Sequence, residues 1–425
     1  MKKIKLGDVC KIITGPFGSQ LHASDYVEEG IAWVMPINIG DRLISTDSIA
    51  KISLKDVERL KRYKLELGDI IYSRRGDIEK CALVRKENVG FLCGTGCLRI
   101  RVDKNSISPD FLSFYLGQNY IKKWIVDNSV GATMPNLNSD ILAHLPLNLP
   151  KLKIQNKIAA VLSSLDEKIS LNKKINATLE DMAKTLYDYF FVQFDFPDEN
   201  GKPYKSSGGK MIFNAELNRE IPVGWKVESL KNKISITRGI SYGSDNISDD
   251  ALGMPMINLA SIDRKRNYIP EGVKFFKGEL PDDKKLKAMD MLVACTDVTR
   301  QAKILGSPIL VMNDREYTFS MDLAKISICD ERIKKLYLYM TLRTNFYHQY
   351  IAGFASGTTV LHLDLSGMDW YMIAIPPLDL QLKFSTIMEH IYLQTCCNIR
   401  ESQNLTELRD FLLPMLMNGQ VGFKG

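Results

Sequence analysis

A chain of 425 residues with 45% hydrophobic and 25% charged content has material for two or three domains with ordinary cores. Its net charge of +6 is mildly basic, which permits a nucleic-acid partner without demanding one. No run of about 18 uncharged apolar residues occurs, and the start MKKIKLGDVCKI lacks an apolar signal core, so a cytosolic (cytoplasmic) protein is expected. The eight cysteines are scattered and form no paired ligand pattern; Cys93 and Cys97 read as buried or half-buried thiols before they read as a metal site.

In chain order, residues 1–150 carry short β-rich runs such as GDIIYSRRG and CLRIRV, then a helical stretch at PDFLSFYLGQNYIKKWIV. A long helix follows from about residue 151 to 194. Its apolar residues Ile158, Val161, Leu165, Ile175, Leu179, Met182, Leu186 and Tyr189 recur in steps of three and four, a coiled-coil seam. Carried through the gap, that seam turns Lys168 and Asn172 inward. From Ile158 to Tyr189 the helix would run roughly 48 Å at about 1.5 Å per residue. Residues 195–223 are rich in Gly, Pro, Ser and Asn and read as a linker with no packed element. A second mixed α+β stretch then occupies about 224–376, with MDMLVAC, LAKISI and a helix at KKLYLYMTLRTNFYHQYIA, before a second long helix from 377 into the tail at 425.

The two halves are copies. Gln155, Lys157, Asn172, Leu179 and Leu186 recur 226 residues later as Gln381, Lys383, Asn398, Leu405 and Leu412. The seam positions Ile158, Val161, Leu165, Met182 and Tyr189 become Phe384, Ile387, Ile391, Leu408 and Met415. Upstream, NYIKKWI at Asn119 matches NFYHQYI at Asn345, GATMPNL at Gly131 matches GTTVLHL at Gly357, and KIITGPFGS matches SITRGISYGS. Two units of this size make a duplicated domain-plus-helix and not a solenoid. Two such helices pair most economically antiparallel about a pseudo-twofold axis. Asn172 and Asn398 either fix the register of that pair, as polar seam residues do, or tilt to solvent.

The Pro-x-Leu-x-x-Gln helix start, the Gly-x-Thr turns at Gly131–Thr133 and Gly357–Thr359, GDIIYSRRG and the linker together resemble the specificity (S) subunit of type I restriction–modification systems, over essentially the whole chain. The resemblance implies an α+β fold with two pseudo-twofold-related globular target-recognition domains separated by two long antiparallel coiled-coil helices. It implies a non-catalytic subunit that reads a bipartite asymmetric site on double-stranded DNA. Its helices would dock two methyltransferase (modification) subunits, and the full complex would add two ATP-dependent translocase-nuclease (restriction) subunits. No cofactor is implied in this subunit; S-adenosylmethionine, ATP and Mg belong on the partners. The halves depart from each other at Lys151 against Pro377, and LVACTDVTR stands where IYSRRG would be. The alternative from another class is a structural adaptor whose two heads bind proteins, and a third is an enzyme with an unrecognised site.

Enzyme motifs are missing. The nearest phosphate-loop fragment, GGK at Gly208, runs into Met211, and IPPLD at Ile375 lacks the polar first and aromatic last residues of an adenine methyltransferase loop. Pro270-Glu271 with Asp283 and Lys285 is the nearest nuclease-like set and reads more simply as a solvated loop. His22, His144, His348, His362 and His390 have no ligand or nucleophile spacing.

DNA contacts are expected from loops. Arg74 and Arg75, with Lys80 on the same loop, follow a strand; guanidinium forks there suit guanine edges or phosphates, and solvated surface residues are the other reading. Arg300 and Lys303 occupy the comparable loop of the second half. Thr133 and Thr359 contact phosphates or shape their turns. Arg264 and Lys265 with Arg266, and Lys284, Lys285 and Lys287, are electrostatic anchors or solvated faces. Phe17 and Tyr242, in matching loops, pack either on DNA or on their own cores, and the core is the expected place.

Overall fold

The computed structural model describes residues 2–131, 135–248, 253–299, 301–312 and 315–422. Two compact units emerge, Met1–Ile169 with Asn404–Gly425, and Ser170–Gln403. These bounds differ from the expected ones because each long helix, Leu152–Tyr187 and Leu378–Met417, contributes residues to both units.

In the first unit a four-stranded antiparallel sheet has the spatial order Cys10–Thr14, Cys97–Val102, Ile70–Ser73, Cys81–Leu83. The uninterrupted apolar run of GDIIYS is explained by burial on both faces. Ile70, Tyr72, Leu98 and Ile100 pack on one side with Phe111, Tyr115 and Ile121 of the following helices. Ile71, Ala82 and Cys97 pack on the other with Trp33, Val34 and Leu92. Those last residues belong to a second sheet, ordered Tyr26–Val27, Lys51–Ile52, Ile31–Val34, Leu92–Cys93, in which the final pair is parallel. Lys2–Lys5 pairs with Pro146–Leu149, whose Leu147 and Leu149 point inward while Asn148 points out.

The second unit repeats this order strand for strand. Its sheets run Ile234–Arg238, Leu323–Ile328, Met291–Ala294, Pro308–Leu310 and Ile247–Ser248, Lys274–Phe276, Met254–Ile257, Thr318–Phe319, with Lys226–Ser229 paired to Met372–Ile375. Met291 and Val293 again face one cluster while Leu292 and Ala294 face another. The duplication read in the sequence is therefore a duplication of topology, within an α+β fold.

The repeated glutamine at each helix start has a physical task. Gln155 accepts from the Ser108 amide and donates to the Pro150 carbonyl, both at 2.9 Å. Gln381 does the same with the Lys334 amide at 2.9 Å and the Pro376 carbonyl at 2.8 Å. Each buried amide thus ties its long helix to the globular part that precedes it.

The long helices run antiparallel within each unit. In the second unit, Asn172 Nδ2 donates to Ser402 Oγ at 3.3 Å and Asn176 Oδ1 accepts from Asn398 at 2.8 Å, while Phe191, in the π-turn after the first helix, meets Phe384. In the first unit, Asp166 pairs with Arg409 at 3.0 Å and Ile158 shares a cluster with Leu416 and Met417. Asn172 and Asn398 are 0% and 5% exposed, so they face the seam and do not tilt to solvent.

Two expectations need correction. Ile175, Met182, Ile387, Leu408 and Lys168 are exposed, not inward, because buried Leu162, Asn172 and Ala183 hold the inward face of the first helix, and buried Met388, Asn398 and Leu416 that of the second, leaving these side chains outside. The segment 195–223 is no bare linker. It carries a hairpin, Met211–Asn214 with Arg219–Pro222, and buries Phe196 and Ile221 beside Phe194 and Trp225. The Phe196, Tyr204 and Trp225 rings stack there, and that aromatic content outweighs the Gly and Pro around it.

Candidate nucleic-acid interface

Antiparallel pairing brings several loops to one edge of each four-stranded sheet. In the first unit Thr14 lies opposite Leu98, Ser73 opposite Cys97, and Tyr72 opposite Cys81. The loops leaving Thr14 and Ser73 and entering Cys81 and Cys97 therefore share an edge. Gly15 donates to the Cys97 carbonyl at 2.9 Å and Arg74 donates its amide to Gly96 at 2.8 Å. Asn136 joins them through ladder bridges to Val130 and to Arg75. Arg74 is half-buried, its Nε donating to Asn136 Oδ1 at 3.2 Å, and burial together with Arg75 lowers its pKa. Arg75 is exposed, and Lys80, also exposed, pairs with Asp77 at 3.0 Å. Thr133 lies outside the described residues.

The equivalent edge of the second unit is built alike. Thr296–Asp297, Leu361–Leu363 and Ala355–Ser356 form a small sheet, with His362 opposite both Thr296 and Ser356 as Asn136 is opposite Arg75 and Val130. Gly357 has φ of 114°, and a Cβ there would stand 2.2 Å from the Val360 carbonyl, so the turn requires glycine. Thr359 is exposed on that turn and Lys303 on the loop after Asp297; Arg300 lies outside the described residues.

Sequence reasoning missed what shapes this second loop. Asp297 is buried and accepts from Thr299 N and Oγ1 at 2.7 Å and from Ile304 N at 2.9 Å. His348 Nε2 meets the Ala302 carbonyl at 3.0 Å, and burial and then Arg266 lower its pKa. An Asp-x-Thr spacing is a local signal for the first contact; nothing local announces the second.

Arg264 and Lys265 are exposed at the tip of a hairpin closed by Ile262 and Tyr268. Its base is held by Arg343, which donates to the Arg266 carbonyl and Asn267 Oδ1 at 2.8 Å and pairs with Glu180 of the long helix at 2.7 Å. The matching hairpin of the first unit, closed by Ile39 and Ile44, is tied down by Arg42, which lies over the Phe114 ring and pairs with Asp166. Burial, only partly opposed by Asp41, pulls the Arg42 guanidinium down to about 10.

The remaining candidates stand as follows. Lys284 donates to the Arg238 carbonyl and pairs with Asp283, Lys285 pairs with Asp282, and Lys287 is exposed. Glu271 pairs with Lys173, which leaves the nuclease-like set dispersed. Cys93 and Cys97 are buried thiols whose pKa burial raises, Cys93 to about 12. Among the described residues no group of three or more His, Cys, Asp or Glu could hold a metal ion, and no helix is long and apolar enough to cross a membrane. Tyr242 is half-buried, but Phe17 is 65% exposed and corrects its expected place in the core. Its loop is spent on the Gly15 contact with the 94–97 turn, which leaves the ring outside.

Residues 1–181 match the family described as "Type I restriction modification DNA specificity domain". The type I restriction enzyme HindI specificity subunit of Haemophilus influenzae is 25% identical, the match covering 99% of each chain. The MjaIX specificity subunit of Methanocaldococcus jannaschii is 24% identical over 99% of this chain and 93% of its own. The crystal structure of a type I restriction–modification S subunit from M. genitalium superposes with a TM-score of 0.58 at 15% identity, covering 98% of this chain and 95% of that one, and shows the same fold. With its duplicated sheets and glutamine-tied helices, the chain is similar over its whole length to specificity subunits of type I restriction–modification systems, and its residues 1–181 match their DNA specificity domain.

Proposed function

We propose that the chain is the non-catalytic DNA-recognition subunit of a type I restriction–modification enzyme. It reads a bipartite asymmetric duplex site, one part at each sheet edge, with target-recognition domains at 1–150 and 224–376, spacer helices at 151–194 and 377–425, and a connecting segment at 195–223. The observation that carries this reading is the equivalence of the two edges. Equivalent loops present Arg74, Arg75 and Lys80 in one unit and Lys303 and Thr359 in the other, while Arg264 and Lys265 add exposed charge beside the second; Thr133 and Arg300, which lie outside the described residues, are proposed to join them. Exposed guanidinium and ammonium groups on short, pinned loops suit guanine edges and phosphates.

The long helices supply the surface for the methyltransferase subunits. Leu171, Ile175, Met182, Leu393, Leu408 and Phe411 are exposed along them, more apolar area than solvated helices need. Two methyltransferase subunits dock there, each flipping an adenine from the stack, and two translocase-nuclease subunits complete the enzyme in the cytoplasm. S-adenosylmethionine, ATP and Mg act on those partners. Methylome sequencing of the host before and after deletion of the gene tests the reading. One split motif loses its methylation if the proposal holds; an unchanged methylome refutes it.

A further inference from the structure

Phe17 and Ile37 are 65% and 86% exposed, the latter the most exposed large apolar residue described. Both flank the same glycine turn of the first sheet edge. A Cβ on Gly15 would lie 2.2 Å from the Gly94 carbonyl, and a Cβ on Gly96 would lie 3.1 Å from Pro36 Cγ. The 94–96 turn is thus clasped between the two loops, with Phe17 two residues beyond one contact and Ile37 one residue beyond the other. Arg74 donates its amide to Gly96 of that turn. An exposed aromatic ring and an exposed branched chain are therefore carried on the two loops that clasp the turn to which Arg74 is bonded.

Apolar side chains presented among cations match one feature of duplex DNA, the thymine 5-methyl group in the major groove, which stands among acceptors and phosphates. We propose that Phe17 and Ile37 form an apolar contact to a thymine methyl in the part of the site read by the first unit, and so determine specificity there beyond what Arg74 and Arg75 supply. This rests on the DNA-recognition reading above. The charge of Arg74, Arg75 and Lys80 on the same sheet edge selects a polyanion over an apolar protein face as its occupant.

The test uses the full chain co-purified with its methyltransferase. Duplexes carrying the methylated motif have each thymine replaced in turn by deoxyuridine, which deletes only the methyl. Wild type should lose about three- to fourfold in affinity at one position, the worth of one buried methyl. Phe17→Ala and Ile37→Ser should bind the parent duplex more weakly and become indifferent to that replacement, with the salt dependence of binding unchanged because no phosphate contact is lost. Phe17→Leu should keep part of the preference. Indifference of the wild-type complex at every thymine, or the same preference in wild type and Phe17→Ala, overturns the proposal. Failure of the wild-type complex to bind the duplex at all would instead overturn the recognition reading.

Discussion

The hairpin that carries Arg264 and Lys265 depends on one ion pair. Arg343 is 6% exposed and Glu180 is 18% exposed. Glu180→Leu leaves a buried guanidinium without its counter-charge, a loss of about 3–5 kcal/mol. Arg343 still donates to the Arg266 carbonyl, to Asn267 and to the Tyr339 hydroxyl at 3.0 Å, which places the loss near the low end, about 3 kcal/mol. For a unit the size of Ser170–Gln403 that is a fall in Tm of roughly 6–12 °C. Arg343→Met should cost a similar amount by orphaning the carboxylate. The double substitution should cost less than the sum of the singles, since it buries no unpaired charge. Thermal unfolding of the four proteins, followed by duplex binding across a salt series, gives both halves of the answer: with the hairpin unpinned, the salt slope should also fall. Singles that add to the double, or a Glu180→Leu cost below about 1 kcal/mol, would refute the reasoning.

Asn172→Leu should lower Tm, because it removes the Nδ2 donations to Glu401 at 2.8 Å and Ser402 at 3.3 Å, the first to a carboxylate and worth about 1.5–3 kcal/mol; light scattering should then detect mixed assemblies as the register device is lost. Arg75→Ala and Lys303→Ala should each relax one base position at a cost of about 1–3 kcal/mol, whereas Lys265→Ala, at the exposed hairpin tip, should weaken binding about equally on all sequences and reduce the salt slope by about one. Leu408→Asp with Phe411→Asp should abolish co-purification of the methyltransferase while leaving Tm nearly unchanged, since both side chains are exposed. Glu228 has its pKa held at about 2 by hydrogen bonds from Arg332 and Lys233. Its contribution is complete above the ordinary carboxyl value of 4.5 and fades as pH falls towards 2, so the Tm difference between wild type and Glu228→Gln should shrink across that window.

The repeat made the architecture readable from the chain alone. The offset of 226 that links Gln155 to Gln381 also links Val130–Asn136 to Ser356–His362, and those pairs are bridged in both units. Such contacts survive because topology constrains them locally. The inward face of the long helices was less legible: apolar spacing alone chose Met182 over Ala183 and Ile387 over its buried neighbour Met388, since periodicity cannot say which side of a helix a partner covers. The clamps formed by Arg42 with Asp166 and Arg343 with Glu180 were invisible for a different reason. Each joins residues more than a hundred positions apart, and an arginine in a hairpin, as Arg42, or at a helix end, as Arg343, reads as solvated until a carboxylate is found opposite it.

The account turns on each sheet edge reading its own part of a split site. Methylome sequencing of one strain carrying Arg74→Ala and Arg75→Ala and another carrying Lys303→Ala and Thr359→Ala addresses this directly. Relaxation confined to one half of the motif in the first strain and to the other half in the second is the predicted result; changes in both halves from either pair, or in neither, would contradict it.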